Sequence, residues 1–116
     1  MPVVLYGIKN CDTFKKAKNW LTDKGVAFTL HDYRKDGLDS ALLNELEAAL
    51  GWQAMVNKRG TTWRKLPDYV KDNIDKASAL SIMLENPAII KRPILRTDKG
   101  LELGFEIDHY QELFSA

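Results

Sequence analysis

Only one cysteine, Cys11, occurs among the 116 residues. No internal disulfide can form, which fits a reducing compartment and leaves a free thiol to be explained. Long apolar runs are missing as well: none approaches the roughly 20 residues that span a bilayer, and the opening MPVVLYG lacks the basic-then-apolar order of a signal peptide. A cytoplasmic location with no membrane attachment is expected. Nor is there a surplus of charge, because 17 basic and 16 acidic residues leave a formal net charge of +1. Direct nucleic-acid binding is therefore not expected, and any anion site must be local. The chain shows no internal repeat, low-complexity stretch, linker or glycine-rich phosphate loop. His31 and His109 are too isolated to form a metal set with one cysteine, so neither a metal nor a tightly bound cofactor is expected.

What the chain does have is apolar material, 45% of its residues, enough for one respectable core at this length. One domain over residues 1–116 is expected, with room for an insertion. Val3, Val4, Leu5 and Tyr6 make a short apolar run closed by Gly7, which suits a strand buried on both faces. Beyond Cys11 the period changes: Phe14, Ala17 and Leu21 fall at helical spacing, Trp20 widens the stripe, and Gly25 is a natural stop. Val26, Phe28 and Leu30 alternate with Ala27, Thr29 and His31, predicting a second strand, parallel to the first because a helix makes the crossover.

From Asp36 to Pro87 the pattern is helical. Leu42, Leu43, Leu46, Ala49 and Leu50 form one face, with Asp39 or Ser40 as the cap and Gly51 past the end. Thr61 or Thr62 is the expected cap of a short helix through Trp63 and Leu66, while Leu80, Met83 and Leu84 mark another that Pro87 ends. Residues 93–96 and 101–105 then flank Asp98, Lys99 and Gly100 as a hairpin. Asp108 and Gln111 resemble a capping box opening a last helix through Tyr110, Leu113 and Phe114. This order looks like an α/β thioredoxin-like fold, with a mixed four-stranded sheet and a helical insertion at about residues 38–87 between its second and third strands. Fold alone assigns no function.

The chemistry starts at the strand-to-helix junction. Unpaired N–H groups and the macrodipole make the first turn of a helix locally positive, which lowers a cysteine pKa from its free value of about 8.5. Lys9, Lys15 and Lys16 add positive charge, Asp12 opposes them, and the Thr13 hydroxyl is near enough in sequence to donate to the sulfur. The polar neighbours Lys9, Asn10 and Asp12 favour a reactive thiol over a buried apolar one, and Asn10 and Asp12 are candidate substrate contacts. C-D-T-F offers no second cysteine, since Phe14 stands where C-x-x-C would place it. An oxidised Cys11 must therefore be resolved by an outside thiol, glutathione or a glutaredoxin-type protein.

Two basic motifs bear on substrate. NKRGTTWRKL gathers Lys58, Arg59, Arg64 and Lys65 around Gly60, either as donors to a carboxylate or oxyanion or as a solvated turn before a helix. In KRPIL, Arg92 precedes Pro93, which is either a cis proline exposing backbone groups beside the thiol or an ordinary strand-edge proline.

Cys11 in the first turn, NKRGTTWR in the insertion and KRPIL in the third strand occur in that order along essentially the whole chain. This combination resembles the arsenate reductase (ArsC)/Spx family, most closely its YffB-like branch of glutathione-dependent thiol reductases. The resemblance implies a nucleophile at Cys11, a cis proline at Pro93 and glutathione as co-substrate. It places one oxyanion-binding arginine at Arg92 and another near Asn57, with Arg59 as a shifted substitute. A third arginine position falls on Leu103, Gly104 and Phe105, and the histidine and proline that precede the cysteine in arsenate reductases are replaced within Gly7, Ile8, Lys9 and Asn10. These departures weaken the arsenate reading, because a multiply charged oxyanion held away from water needs its charge matched by donors.

The leading expectation is a monomeric thiol–disulfide reductase acting on a disulfide or oxyanion substrate. Its candidate catalytic residues are Cys11, Thr13 and Arg92, and its candidate substrate contacts are Asn10, Asp12, Arg59, Arg92 and Pro93. The alternatives are an arsenate reductase coupled to glutathione or glutaredoxin and an Spx-like regulator that binds RNA polymerase.

Overall fold

Leu5, buried in the first strand, meets Phe14, Ala17 and Leu21 from the helix that follows, and Leu95 and Tyr110 complete that core. The computed structural model describes residues 3–9 and 11–115. These divide into two compact units, one formed by the chain up to Gly37 and again from Arg92 onward, the other by Leu38–Lys91.

In the first unit β1 (Val4–Gly7), α1 (Asp12–Asp23) and β2 (Thr29–Asp32) are joined, after the second unit, by β3 (Ile94–Thr97), β4 (Gly100–Leu103) and α7 (Ile107–Phe114). The strands lie in the order β2-β1-β3-β4. β1 pairs parallel to β2 and antiparallel to β3, and β3 pairs antiparallel to β4, so the expected mixed four-stranded, thioredoxin-like sheet is present. Phe14, Ala17 and Leu21 are the buried positions of α1, as their spacing predicts. Trp20 lies edge-on to Tyr110 with ring centroids 5.6 Å apart, and Phe105 does the same at 4.7 Å. α7 is thereby tied to α1 through aromatic contacts.

The second unit holds α2 (Ser40–Leu50), α3 (Trp52–Met55), α4 (Thr61–Arg64), α5 (Asp68–Asp72), α6 (Lys76–Glu85) and a 3₁₀ turn, Pro87–Ile89. α2, α3 and α6 pack on one another, and the 3₁₀ turn packs on α6 and α4. Asp39 caps α2 by accepting from the Leu42 N–H at 2.8 Å. Asp75 and Ser78 form a capping box on α6. Among the described residues, no helix is long and apolar enough to cross a membrane.

Several expected boundaries move, each for a local reason. Residues 26–28 are not part of β2: the Val26 N–H bonds back to Leu21 O at the helix end, and the ladder begins with Thr29 N–H to Val3 O at 2.9 Å. Val26 and Phe28 still pack against the core, which explains their alternating pattern. Neither Thr61 nor Thr62 caps α4, because Gly60 occupies that position. The capping box expected at Asp108 is absent: the N-cap falls two residues earlier, on Glu106, which puts Asp108 inside the first turn. β4 ends at Leu103 because Gly104 takes a φ of 88°.

Close approach sets the angle between α1 and β1. A methyl group on Gly7 would overlap Phe14 Cδ1 and lie 2.8 Å from Cε1, so only glycine lets the ring sit against the end of the strand. Gly7→Ala is expected to destabilise the chain by about 1–3 kcal/mol in urea unfolding, with much of the loss recovered by adding Phe14→Leu. Equal stability of Gly7→Ala and the parent would show that the ring does not need this space.

Candidate active site

Cys11 is the N-cap of α1, with extended backbone angles of φ −88° and ψ 128°. The turn before it is closed by the Cys11 N–H, which donates to Ile8 O at 3.1 Å, and Cys11 O accepts from the Lys15 N–H at 3.0 Å to begin the helix. Ordinary N-caps are serine, threonine, aspartate or asparagine, whose side-chain oxygen accepts from the first-turn amides. Here a sulfur stands at that position without a side-chain capping hydrogen bond of its own, so the first-turn amides act on it through their partial positive charge. Burial pushes the half-buried thiol pKa up, but the Phe14 N–H, the Arg92 guanidinium and the Thr13 N–H together outweigh burial and bring it below its ordinary value. Arg92 acts both as hydrogen-bond donor to the sulfur and as a positive charge beside it.

The structure thus brings together three residues singled out from the sequence, Cys11, Thr13 and Arg92. Thr13 is exposed and contributes its backbone N–H to the sulfur. Its hydroxyl, the group expected from sequence, has no part in that interaction among the causes of the shift. The leading contributor below burial is the Phe14 amide, which side-chain reasoning does not single out because every residue but proline carries the same donor. Asp12 is exposed in the first turn of α1. Asn10 lies outside the described residues.

Arg92 and Pro93 immediately precede β3, and the peptide bond between them is cis. Pro93 is fully buried, and its carbonyl accepts from the Gly104 N–H at 2.8 Å. On the same unit, Tyr6 and Tyr33 stack with centroids 6.4 Å apart, and Arg96 Nε donates to the Tyr6 hydroxyl at 2.9 Å. Burial pushes the Tyr33 phenol far above its ordinary value, so it stays protonated.

Arg59 belongs to the second unit. It is exposed, its N–H donates to Asn57 Oδ1 at 3.1 Å, and it lines a cavity of about 420 Å³ with Gln53, Asn57, Lys58 and Lys91. Among the described residues, no three His, Cys, Asp or Glu side chains gather closely enough to hold a metal ion.

Comparison with known proteins places the chain among proteins of this architecture. A sequence model of the ArsC family matches residues 6–113. An uncharacterized protein of Haemophilus influenzae is 50% identical over 97% of this chain and 99% of its own length. The solved structure of the protein YffB superposes with a TM-score of 0.88 at 44% identity, covering 95% of this chain and 96% of that one. An arsenate reductase (ArsC) related protein from Brucella melitensis gives 0.81 at 46% identity, over 100% and 97%. The global transcriptional regulator Spx of Streptococcus agalactiae is 27% identical over 91% of this chain and 78% of its own length.

Removing the guanidinium in Arg92→Met is expected to move the midpoint of Cys11 alkylation, measured as rate against pH, upward. Thr13→Ala keeps the N–H and should leave the midpoint in place. Because the folded thiol pKa is depressed, native stability should also rise as pH climbs from the folded value toward the unfolded value near ~8.5, and that gain should vanish in Cys11→Ser. An unchanged midpoint in Arg92→Met would remove the arginine from the site.

Proposed function

The chain belongs to the ArsC family, and we propose that within it the protein is a glutathione-dependent thiol–disulfide reductase working through Cys11 alone. The fold is that of arsenate-reductase-like thiol reductases. The observation that carries the proposal is a thiol standing as helix N-cap, with two amides and a guanidinium holding it toward thiolate. A structural cysteine needs none of these partners.

In the proposed cycle the Cys11 thiolate attacks the glutathionyl sulfur of a mixed disulfide. The old S–S bond breaks, the other sulfur leaves as a thiolate that takes a proton from solvent, and Cys11 is left bonded to glutathione. A second glutathione thiolate then attacks the glutathionyl sulfur of that adduct, oxidised glutathione departs, and Cys11 returns as thiolate. One disulfide is exchanged for another: the mixed disulfide and one free glutathione are consumed, and the substrate thiol and oxidised glutathione are released. The stabilisation that makes Cys11 ionise also makes it a good leaving group in the second step. An internal resolving thiol is excluded by Phe14, whose side chain is buried at the position where C-x-x-C would need it.

Arg92 steadies the sulfur, while Asn10 and Asp12 flank it in sequence and Pro93 follows Arg92 just before β3. A reducing, cytoplasmic setting suits a single half-buried thiol of this kind. Arsenate is a weaker candidate. Where the family's arsenate reductases carry a third arginine this chain has Leu103, Gly104 and Phe105, and the Gly104 N–H is already engaged by Pro93 O. The relatives called transcriptional regulators favour a second reading, a regulatory binding module, but the C-x-x-C switch of such proteins is replaced here by Cys11 and Phe14.

Cys11→Ser is expected to abolish both turnover of a glutathione mixed disulfide and the mass increase from glutathionylation, with circular dichroism unchanged. Turnover that survives in this variant would end the proposal. Arsenate supplied with glutathione and a glutaredoxin should yield little arsenite relative to disulfide turnover, and the reverse ranking would restore arsenate as the substrate.

A further inference from the structure

Beside the helix that Cys11 caps lies a cavity of about 520 Å³, formed entirely within the first unit between α1 and the end of β2. Its volume falls in the range of roughly 300–1,000 Å³ typical of small-molecule sites. Four lysines line it, Lys9, Lys15, Lys18 and Lys35, together with Asp32 and Asp36. Among the described residues none of the four ammonium groups has a carboxylate partner. Asp32 cannot neutralise them fully, because its oxygens are occupied by backbone: Oδ1 accepts from the Arg34 N–H at 2.8 Å and Oδ2 from the Lys9 N–H at 3.2 Å. Burial raises its pKa, yet these amides hold the carboxyl below its usual range, so it stays charged. One Asp36 oxygen accepts from the Asp32 N–H at 2.9 Å, which leaves the other for a ligand.

The cavity begins close to the residue that carries the sulfur, because Lys15, which lines it, donates its N–H to Cys11 O at 3.0 Å. Lys15 and Lys18 follow the N-cap Cys11 by four and seven residues, which puts Lys18 about 10 Å along the axis of α1 from Cys11 at ~1.5 Å per residue. An extended tripeptide has about the same reach, at ~3.3–3.6 Å per residue.

On the reading given above for Cys11, we propose that this cavity is the specificity site for the peptide part of the thiol co-substrate, a small molecule with two carboxylates and one ammonium, as in glutathione. Lys15, Lys18 and Lys35 receive the carboxylates, Asp36 receives the ammonium, and the apolar side of Leu30 meets the methylene groups between them. Four cations against two anions match a ligand whose own charge is negative overall.

The test uses S-methylglutathione, which cannot form a disulfide, titrated into the native protein while backbone amide resonances are followed. Shifts confined to the cavity-lining parts of α1 and β2, reduced by salt and lost in Lys18→Glu with Lys35→Glu, are expected. Both lysines are exposed, so this variant should fold as the parent does, as circular dichroism will show. In turnover, the ratio of kcat/KM for glutathione to that for uncharged 2-mercaptoethanol should fall about tenfold in the same variant, as two surface charge reversals imply. Cavity amides that do not respond to S-methylglutathione, or an unchanged ratio, would overturn the proposal. Failure of the reductase reading would show differently, as absence of Cys11-dependent turnover with either thiol, and the titration does not depend on it.

Discussion

The ring of Phe14 packed against Gly7 is the contact from which the rest follows. It requires a residue without Cβ at the end of β1 and an aromatic residue in the first turn of α1, and it seats the start of the helix directly against the sheet. Phe14 then serves twice: its side chain joins Leu5, Leu21, Leu95 and Tyr110 in the core, while its N–H favours the ionised form of Cys11. Packing and activation are thus coupled through one residue. A cysteine in place of Phe14 would surrender most of that core contact, which is the physical reason a resolving thiol does not fit here.

The activation itself is a balance between opposed effects. Burial disfavours the charged sulfur, and it is the largest single influence on its ionisation. Two amides fixed by the helix and the guanidinium of Arg92, just before β3, together overcome it. A site of this kind loses little to reorganisation when the thiolate attacks or departs. It also depends on long-range structure: Arg92 is remote in the chain and reaches Cys11 only because β3 pairs antiparallel beside β1.

Most of the fold was legible because it rests on period and punctuation. The i, i+3, i+7 spacing of Phe14, Ala17 and Leu21 gave α1, Asp39 and Gly51 bracketed α2, and Gly100 marked the hairpin. Errors came where a pattern had two causes. Val26 and Phe28 alternate because they pack on the core on the way to β2, without joining the ladder. Asp108 and Gln111 have the spacing of a capping box, but Ile107 already belongs to α7, so the cap falls on Glu106. The short helices α3 and α5 carry too few residues for a period to be read. At the site, the placement of Cys11 was visible from the sequence, whereas the Phe14 amide and the cavity beyond it were not.

By itself the sequence determined the local facts: one thiol, no internal partner for it, and a strand-to-helix junction to hold it, since these depend only on residue types and spacing within a few turns of chain. Tertiary structure alone decided which cation stands beside the sulfur, choosing Arg92 over the nearer Lys9, Lys15 and Lys16 as its hydrogen-bonding partner. It also decided that Lys15 and Lys18 line a common cavity with Lys35 and Asp36. Strand pairing and helix packing settle such meetings, because they fix distances between residues whose separation in sequence carries no information about them.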